Sequence, residues 1–311
     1  RLLELQKPVE IITGFDRPNL FFEVRQPKNK DACLLELLEK RRDQSGIIYC
    51  STRKNVERVQ ELLIHHGFAA ARYHAGLSDA ERHQSQEDFL YDRARVMAAT
   101  NAFGMGIDKS NVNYVIHYNM PRDLESYYQE AGRAGRDGSP ADCILLYASG
   151  DVSTARFMIE NSQENEKLTP HEQKQITARD FQRLNQMVGY CRTGGCLRAY
   201  LLRYFGETAP EQCGNCGSCL GETVEEDITV PAQKIHSCIV RAEKLLGYSL
   251  GRSSYIQILR GSEEKRLQEK GLDQLSTYGI LQEPAARLQD YFAALEIQGY
   301  LQVQQEHSTI S

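Results

Sequence analysis

Gln129-Glu130-Ala131-Gly132-Arg133-Ala134-Gly135-Arg136-Asp137-Gly138 is the stretch on which the reading of this chain turns. Asp123, two residues after Pro121, is placed to cap a helix running through Leu124, Tyr127 and Tyr128 towards the glycines. At about 100° per residue, Gln129, Arg133 and Arg136 stand at i, i+4 and i+7 and share one face. Gly132 and Gly135 leave that face open to a second surface, and Asp137-Gly138 ends the element. Two guanidiniums and an amide on a rigid edge suit a multiply charged oxyanion, such as a triphosphate in its transition state. A lone Arg-x-x-Arg is usually no more than a solvated face. The stronger reading rests on the ten-residue run as a whole.

Outward from that run, strands and helices alternate. Leu20 to Val24 follows a turn at Phe15-Asp16-Arg17-Pro18-Asn19, and a helix from Ala32 to Arg42 comes next. Gly46-Ile47-Ile48-Tyr49-Cys50 is a continuous apolar run of the kind a buried parallel strand needs. A helix carrying Val56, Val59, Leu62 and Leu63 stops at Gly67, and Phe68 to Tyr73 is the next strand. Ser78-Asp79-Ala80-Glu81 is a capping box. Arg95 to Ala99, Val112 to Tyr118 and Cys143 to Tyr147 supply further strands. Residues 1–148 therefore read as one α/β domain with a mostly parallel sheet, which binds ligands at the carboxyl ends of its strands.

The 311 residues allow two or three domains, and 41% hydrophobic with 25% charged residues is ordinary for a globular chain. No apolar run approaches about 18 residues, so no membrane span is expected. The chain opens on Arg1 and shows no signal-peptide pattern, so it reads as a piece of a longer intracellular protein. The net charge of −5 excludes a globally basic nucleic-acid binder but not local cationic grooves.

Five of the nine cysteines, Cys191, Cys196, Cys213, Cys216 and Cys219, fall close together. Without a secretory signal, such clustering suggests a metal rather than disulfides. Cys213-x-x-Cys216-x-x-Cys219, with Gly214 and Gly217 at the turns, plus one further thiolate makes a closed tetrahedral zinc site. Cys196, at the start of the helix carrying Leu197, Tyr200, Leu201 and Tyr204, is the expected fourth ligand. Cys191 competes with it, and spacing alone leaves the choice open. An iron–sulfur cluster is a second alternative, although no Cys-Pro follows to complete a ferredoxin-type run.

Residues 226–311 read as three helices and a short β-hairpin, the order of a winged helix. The segment Tyr255-Ile256-Gln257-Ile258-Leu259-Arg260-Gly261-Ser262 reads as a short β-like run leading into a helix. Nine Lys/Arg stand against eleven Asp/Glu there, so charge alone does not make this domain a DNA binder.

The Gln129–Gly138 run resembles motif VI of the superfamily 2 helicases, and its wording is most similar to the RecQ family of DNA helicases. Cys50-Ser51-Thr52-Arg53 resembles motif IV, and Ala99-Thr100-Asn101-Ala102-Phe103-Gly104-Met105-Gly106-Ile107-Asp108 resembles motif V. Tyr73-His74-Ala75-Gly76-Leu77 resembles the motif between them. The resemblance implies an α/β RecA-like lobe (1–148), a helical four-cysteine zinc subdomain (149–225) and a winged-helix domain (226–311).

By the same resemblance Arg136 is an arginine finger, worth about 10³–10⁵ in rate, with Arg133 and Gln129 as companions. Thr52, Arg53, His74 and Thr100 grip single-stranded DNA, while Gly106 and Asp108 couple that grip to ATP. Cys196 is favoured over Cys191, and Arg260 and Ser262 match a position that touches duplex phosphate. The wing, Gln304-Gln305-Glu306-His307-Ser308, carries no aromatic beyond the imidazole of His307, and so departs from family members that wedge base pairs apart with a large aromatic there. No G-x-x-x-x-G-K-[ST] and no Asp-Glu-x-His box occurs, so ATP and Mg²⁺ are expected mainly on a first lobe outside this chain. The implied whole is an ATP-dependent 3′→5′ DNA helicase of recombination and repair, cytoplasmic and nucleoid-associated. Its expected partners are single-stranded and duplex DNA, that first lobe and a single-strand DNA-binding protein. An RNA helicase or annealing translocase, and a motor-free binding fragment, are the competing classes.

Overall fold

The computed structural model of the chain describes residues 14–104, 109–161, 169–221, 227–297, 299–301, 303–304 and 309–310. The chain divides into two compact units, Arg1–Thr223 and Val224–Ser311.

In the first unit the apolar runs become six strands of one sheet. They are β1 (Leu20–Arg25), β2 (Gly46–Tyr49), β3 (Ala70–Tyr73), β4 (Val96–Ala99), β5 (Tyr114–His117) and β6 (Ala141–Leu146). Their order is β1-β6-β5-β2-β4-β3, and every pairing is parallel. β2, β4 and β5 are buried at every residue, as a sheet covered on both faces demands.

Alternate residues of those strands serve two different cores. Ile48, Ala98 and Ile116 pack with Leu34 and Leu37 of α1 (Lys30–Glu39) and Val56 and Val59 of α2 (Arg53–His65). Ile47, Tyr49, Met97 and Val115 join the second core, which five helices cover. These are α3 (Asp79–Leu90), α4 (Leu124–Ala131), α5 (Ser149–Glu160), α6 (Pro170–Arg192) and α7 (Leu197–Tyr204). Ser78 and Glu81 form the expected capping box on α3. A short helix, α8 (Gly217–Leu220), ends the cysteine-rich segment, and Cys216 just before it bridges in parallel to Phe22 of the edge strand β1.

The motif VI helix begins as expected but stops early. The Asp123 side chain accepts from the Ser126 amide at 2.7 Å, yet α4 ends at Ala131. Residues 132–137 are turns, and Gly135 has a φ of +55°. Gln129, Arg133 and Arg136 therefore do not share a helical face.

The second unit contains α9 (Thr229–Leu246), α10 (Arg252–Arg260), α11 (Lys265–Glu269) and α12 (Ala285–Ile297). Strands β7 (Val303–Gln304) and β8 (Thr309–Ile310) close it as an antiparallel pair. Ile235, Ile239, Tyr255, Leu259, Leu288 and Phe292 belong to its core. The β-like reading of Tyr255–Ser262 is corrected: the segment lies in α10 and its C-terminal turn. The apolar positions 255, 256, 258 and 259 fit one helical face, and all four are buried.

Candidate functional site

The arginine turn lies beside the amino ends of β1, β5 and β6, with the Gly135 amide bonded to the Val112 carbonyl and Asn19 bonded to the Gly135 carbonyl. In α4, Leu124, Tyr127, Glu130 and Ala131 are buried, which leaves Gln129 exposed. Glu130 is held from below, because its Oε2 lies 2.9 Å from Nε2 of His117 at the end of β5. The His117 ring stacks on Tyr49 at the end of β2, with centroids 5.4 Å apart. Burial pushes the Tyr49 hydroxyl well above the ordinary phenol range, with Arg133 and Arg136 pulling against that rise.

Just past the helix, Arg133 turns inward. Its Nη1 donates to the Gly104 carbonyl at 2.6 Å. The Tyr49 hydroxyl donates to the preceding carbonyl, that of Phe103, at 3.1 Å. Motif V thus meets motif VI through the Gly104 carbonyl and the end of β2 through the Phe103 carbonyl. The Arg133 Nε is buried with no hydrogen-bond partner among the described residues. Arg136 is exposed, as is Gln129.

The expected DNA-gripping residues divide into two kinds. Arg53 is exposed at the start of α2, and Thr52 caps that helix by accepting from the Asn55 amide at 3.2 Å. Ser51 is exposed, and its amide donates to Asn119 Oδ1 at 3.2 Å. Thr100 is nearly buried, with its amide bonded to the Tyr73 carbonyl at 3.1 Å. His74 is turned towards the protein. Its side chain is 6% exposed, its Nδ1 accepts from the Gly76 amide at 3.1 Å, and its Nε2 lies 2.7 Å from Glu57 Oε1. Both ring nitrogens are engaged by the protein here, so His74 shapes its loop. Gly106 and Asp108 lie outside the described residues.

A cavity of about 110 Å³ opens between the ends of β2 and β5, where Ser51, Asn101, His117, Asn119 and Glu130 share its lining with apolar residues such as Met120 and Met158. Ser51, Asn101 and Glu130 fall within the runs quoted at the sequence level, while His117 and Asn119 were missed. The available signal was the polar triplet His117-Tyr118-Asn119 ending an otherwise apolar strand.

The cysteines converge. The Sγ atoms of Cys196, Cys213, Cys216 and Cys219 all lie within 4.8 Å of one another. Cys216 and Cys196 are 3.9 Å apart, and Cys213 and Cys219 are 4.0 Å apart. Four sulfurs on a tetrahedral zinc at about 2.3 Å would sit about 3.8 Å from each other, so the cluster fits that ion. Backbone amides point at the sulfurs, from Asn215 to Cys213 at 3.3 Å and from Ala199 to Cys196 at 3.4 Å. Burial acts to raise the Cys216 thiol, but the amides of Cys219 and Leu197 and the neighbouring thiols bring it down to about 7. The neighbours Cys213 and Cys219 are pushed up, burial acting first. Cys191 is not in the group; it is buried in α6, where burial raises its thiol.

In the second unit, Arg260 is the exposed last residue of α10. The Ser262 amide donates to the Gln257 carbonyl at 2.9 Å, and its own carbonyl accepts from the Tyr278 hydroxyl at 2.7 Å. Arg260 and Ser262 line a cavity of about 530 Å³ together with Ser253, Gln257 and Gln289. His307 lies outside the described residues.

Comparison with known proteins agrees with this arrangement. Residues 29–138 match the helicase conserved C-terminal domain, residues 149–220 the RecQ zinc-binding domain and residues 222–311 the RQC domain. The chain is 46% identical over 279 residues to the ATP-dependent DNA helicase RecQ of Bacillus subtilis (strain 168), covering 90% of the chain and 45% of that protein. It is 39% identical over 280 residues to the protein of the same name from Pasteurella multocida (strain Pm70), covering 90% of the chain and 42% of that protein. The RecQ-like DNA helicase BLM of Xenopus laevis is 40% identical over 232 residues, 71% of the chain and 16% of that protein. The chain spans less than half the length of each of these relatives.

Proposed function

Because the chain belongs to the RecQ family, we propose that it supplies the second RecA-like lobe, the zinc subdomain and the duplex-binding domain of an ATP-dependent 3′→5′ DNA helicase. The observation that supports this best is the Arg133–Gly104 hydrogen bond of 2.6 Å, which ties the arginine turn to the loop facing the single strand. A motor that converts hydrolysis into movement needs such a link between nucleotide and DNA surfaces.

In this reading Arg136 reaches the γ-phosphate and stabilises the charge that spreads over its oxygens during transfer, the work of an arginine finger. Gln129 faces the same gap, and Arg133 keeps the turn in register with motif V. ATP and Mg²⁺ are held mainly by a partner lobe, since this sequence contains no G-x-x-x-x-G-K-[ST]. Thr52, Arg53 and Thr100 hold single-strand phosphates through hydroxyls, a guanidinium and loop amides, without reading bases. Arg260 and Ser262 meet duplex phosphate.

Cys196, Cys213, Cys216 and Cys219 would hold a structural Zn²⁺, which supplies folding energy rather than chemistry. Work on cellular DNA in recombination and repair, in the cytoplasm and beside a single-strand DNA-binding protein, belongs to the same proposal.

The test is unwinding of a 3′-tailed DNA duplex by the full-length protein, with ATP and Mg²⁺. Strand separation that needs a 3′ tail supports the reading. Separation of RNA duplexes alone, or binding without separation, contradicts it.

A further inference from the structure

The segment Gly14–Asn19, just before β1, lies between the cysteine-rich part of the first unit and the arginine turn. Contacts along its length, from Phe15 to Pro18, tie it to the former. The Phe15 ring stacks on Phe205 with centroids 4.4 Å apart, and the Phe15 amide donates to Glu207 Oε1 at 2.6 Å. Arg198, two residues after Cys196 and buried to 6% exposure, donates through Nη1 to Asp16 Oδ1 at 2.8 Å and to the Arg17 carbonyl at 2.6 Å. Asn215, between two of the clustered cysteines, donates to the Pro18 carbonyl at 3.2 Å.

The other side of the segment grips the motif VI turn. Arg17 Nη1 donates to the Gly132 carbonyl at 3.4 Å, and its Nη2 to the carbonyls of Ala134 at 3.3 Å and Gly135 at 2.8 Å. Asn19 Nδ2 donates to the carbonyls of Gly135 and Ser139, each at 2.9 Å. Gly135 has φ +55°, and a Cβ there would lie 2.5 Å from Asn19 Nδ2, so the turn and the segment fit closely. A planar guanidinium spreads its donors over a fixed fork, here across three carbonyls, whereas an ammonium gathers its three donors on one nitrogen.

We propose that Arg17 is a positioning residue for catalysis: its guanidinium fixes the turn that aims Arg133 and Arg136, and Arg198 in turn fixes Arg17 from the cysteine-rich side. Arg17 acts through the backbone carbonyls of Gly132, Ala134 and Gly135. The proposal rests on the helicase reading above. It adds a route by which the state of the cysteine-rich region reaches the nucleotide site.

Two measurements test it. In the 311-residue chain, the Gly135 amide is bonded to Val112 and the Gly138 amide to Gly135, so both should be protected from hydrogen exchange. Arg17→Ala should accelerate exchange at these amides about tenfold or more, with the amides of α2 unchanged. In the full-length protein, Arg17→Ala should lower DNA-stimulated kcat about tenfold to a hundredfold, the scale of a small misplacement of a catalytic group. Nucleotide KM should stay within about twofold and metal content should equal that of the unmodified protein; Arg17→Lys should recover only part of kcat.

Arg136→Ala is measured beside it. If Arg136→Ala is inactive while Arg17→Ala keeps full kcat, the positioning role is wrong and the helicase reading stands. If Arg136→Ala keeps full turnover, the helicase reading itself is wrong. Should Arg17→Ala fail to fold, Asn19→Ala decides the matter, since it removes two bonds to the same turn. Lowered kcat at constant KM supports the proposal, and unchanged kcat overturns it.

Discussion

Arg133 and Gly104 are fitted to each other: the Arg133 guanidinium donates to the Gly104 carbonyl at 2.6 Å, and a Cβ on Gly104 would lie 2.2 Å from its Cζ. Gly104 also has φ +133°, where a side chain is strained whatever the space. Motif V therefore needs glycine here for two separate reasons.

Gly104→Ala should destabilise the first unit by at least about 1–3 kcal/mol from the backbone term, and more if Arg133 is displaced. A denaturant titration of the 311-residue chain would measure it. Stability equal to that of the unmodified chain would mean that the Arg133 side chain moves aside at no cost, and that the motif V to motif VI link is dispensable.

Alanine at Cys196, Cys213, Cys216 or Cys219 should release the metal and lower solubility together, because a structural site's binding energy is folding energy. Cys191→Ala should keep the metal and cost only packing, since Cys191 sits in the core of α6. The bound state requires thiolates. Protons compete for the four sulfurs as pH falls, so affinity should weaken as pH falls and strengthen as it rises. Metal analysis across pH checks this; a flat profile, or metal loss from Cys191→Ala, would overturn the ligand set.

Arg260→Ala should shallow the salt dependence of duplex binding by about one unit and weaken binding alike on all sequences, as loss of one phosphate contact does. Titrations of the 311-residue chain over a salt series read the slope directly. An unchanged slope would move the duplex surface away from the end of α10.

The fold was legible because its strands are short apolar runs such as Gly46–Tyr49, which only a doubly covered sheet can bury. Helix starts were legible too, at Asp123 and Ser78, because capping is local chemistry. The end of α4 was not. Whether Gly132 to Gly135 continues the helix depends on Arg17 and Asn19, more than a hundred residues away in sequence. The partner of His74 was not legible for a similar reason, since Glu57, which lies 2.7 Å from its Nε2, is on a different element. At Tyr255–Leu259 the run is too short for its pattern to separate strand alternation from a helical face. The cysteine spacing announced a metal, but the preference for Cys196 over Cys191 came from family resemblance; only the folded backbone puts the Cys196 sulfur beside Cys216.

The central claim is that Arg136 works as an arginine finger, and one measurement tests it most directly. The full-length protein and its Arg136→Ala variant are compared by nucleotide-binding titration and by single-turnover ATP hydrolysis on single-stranded DNA. The account predicts binding within about twofold and hydrolysis slower by two or more orders of magnitude. Weakened binding with an unchanged rate of hydrolysis would make Arg136 a ground-state contact and contradict the account.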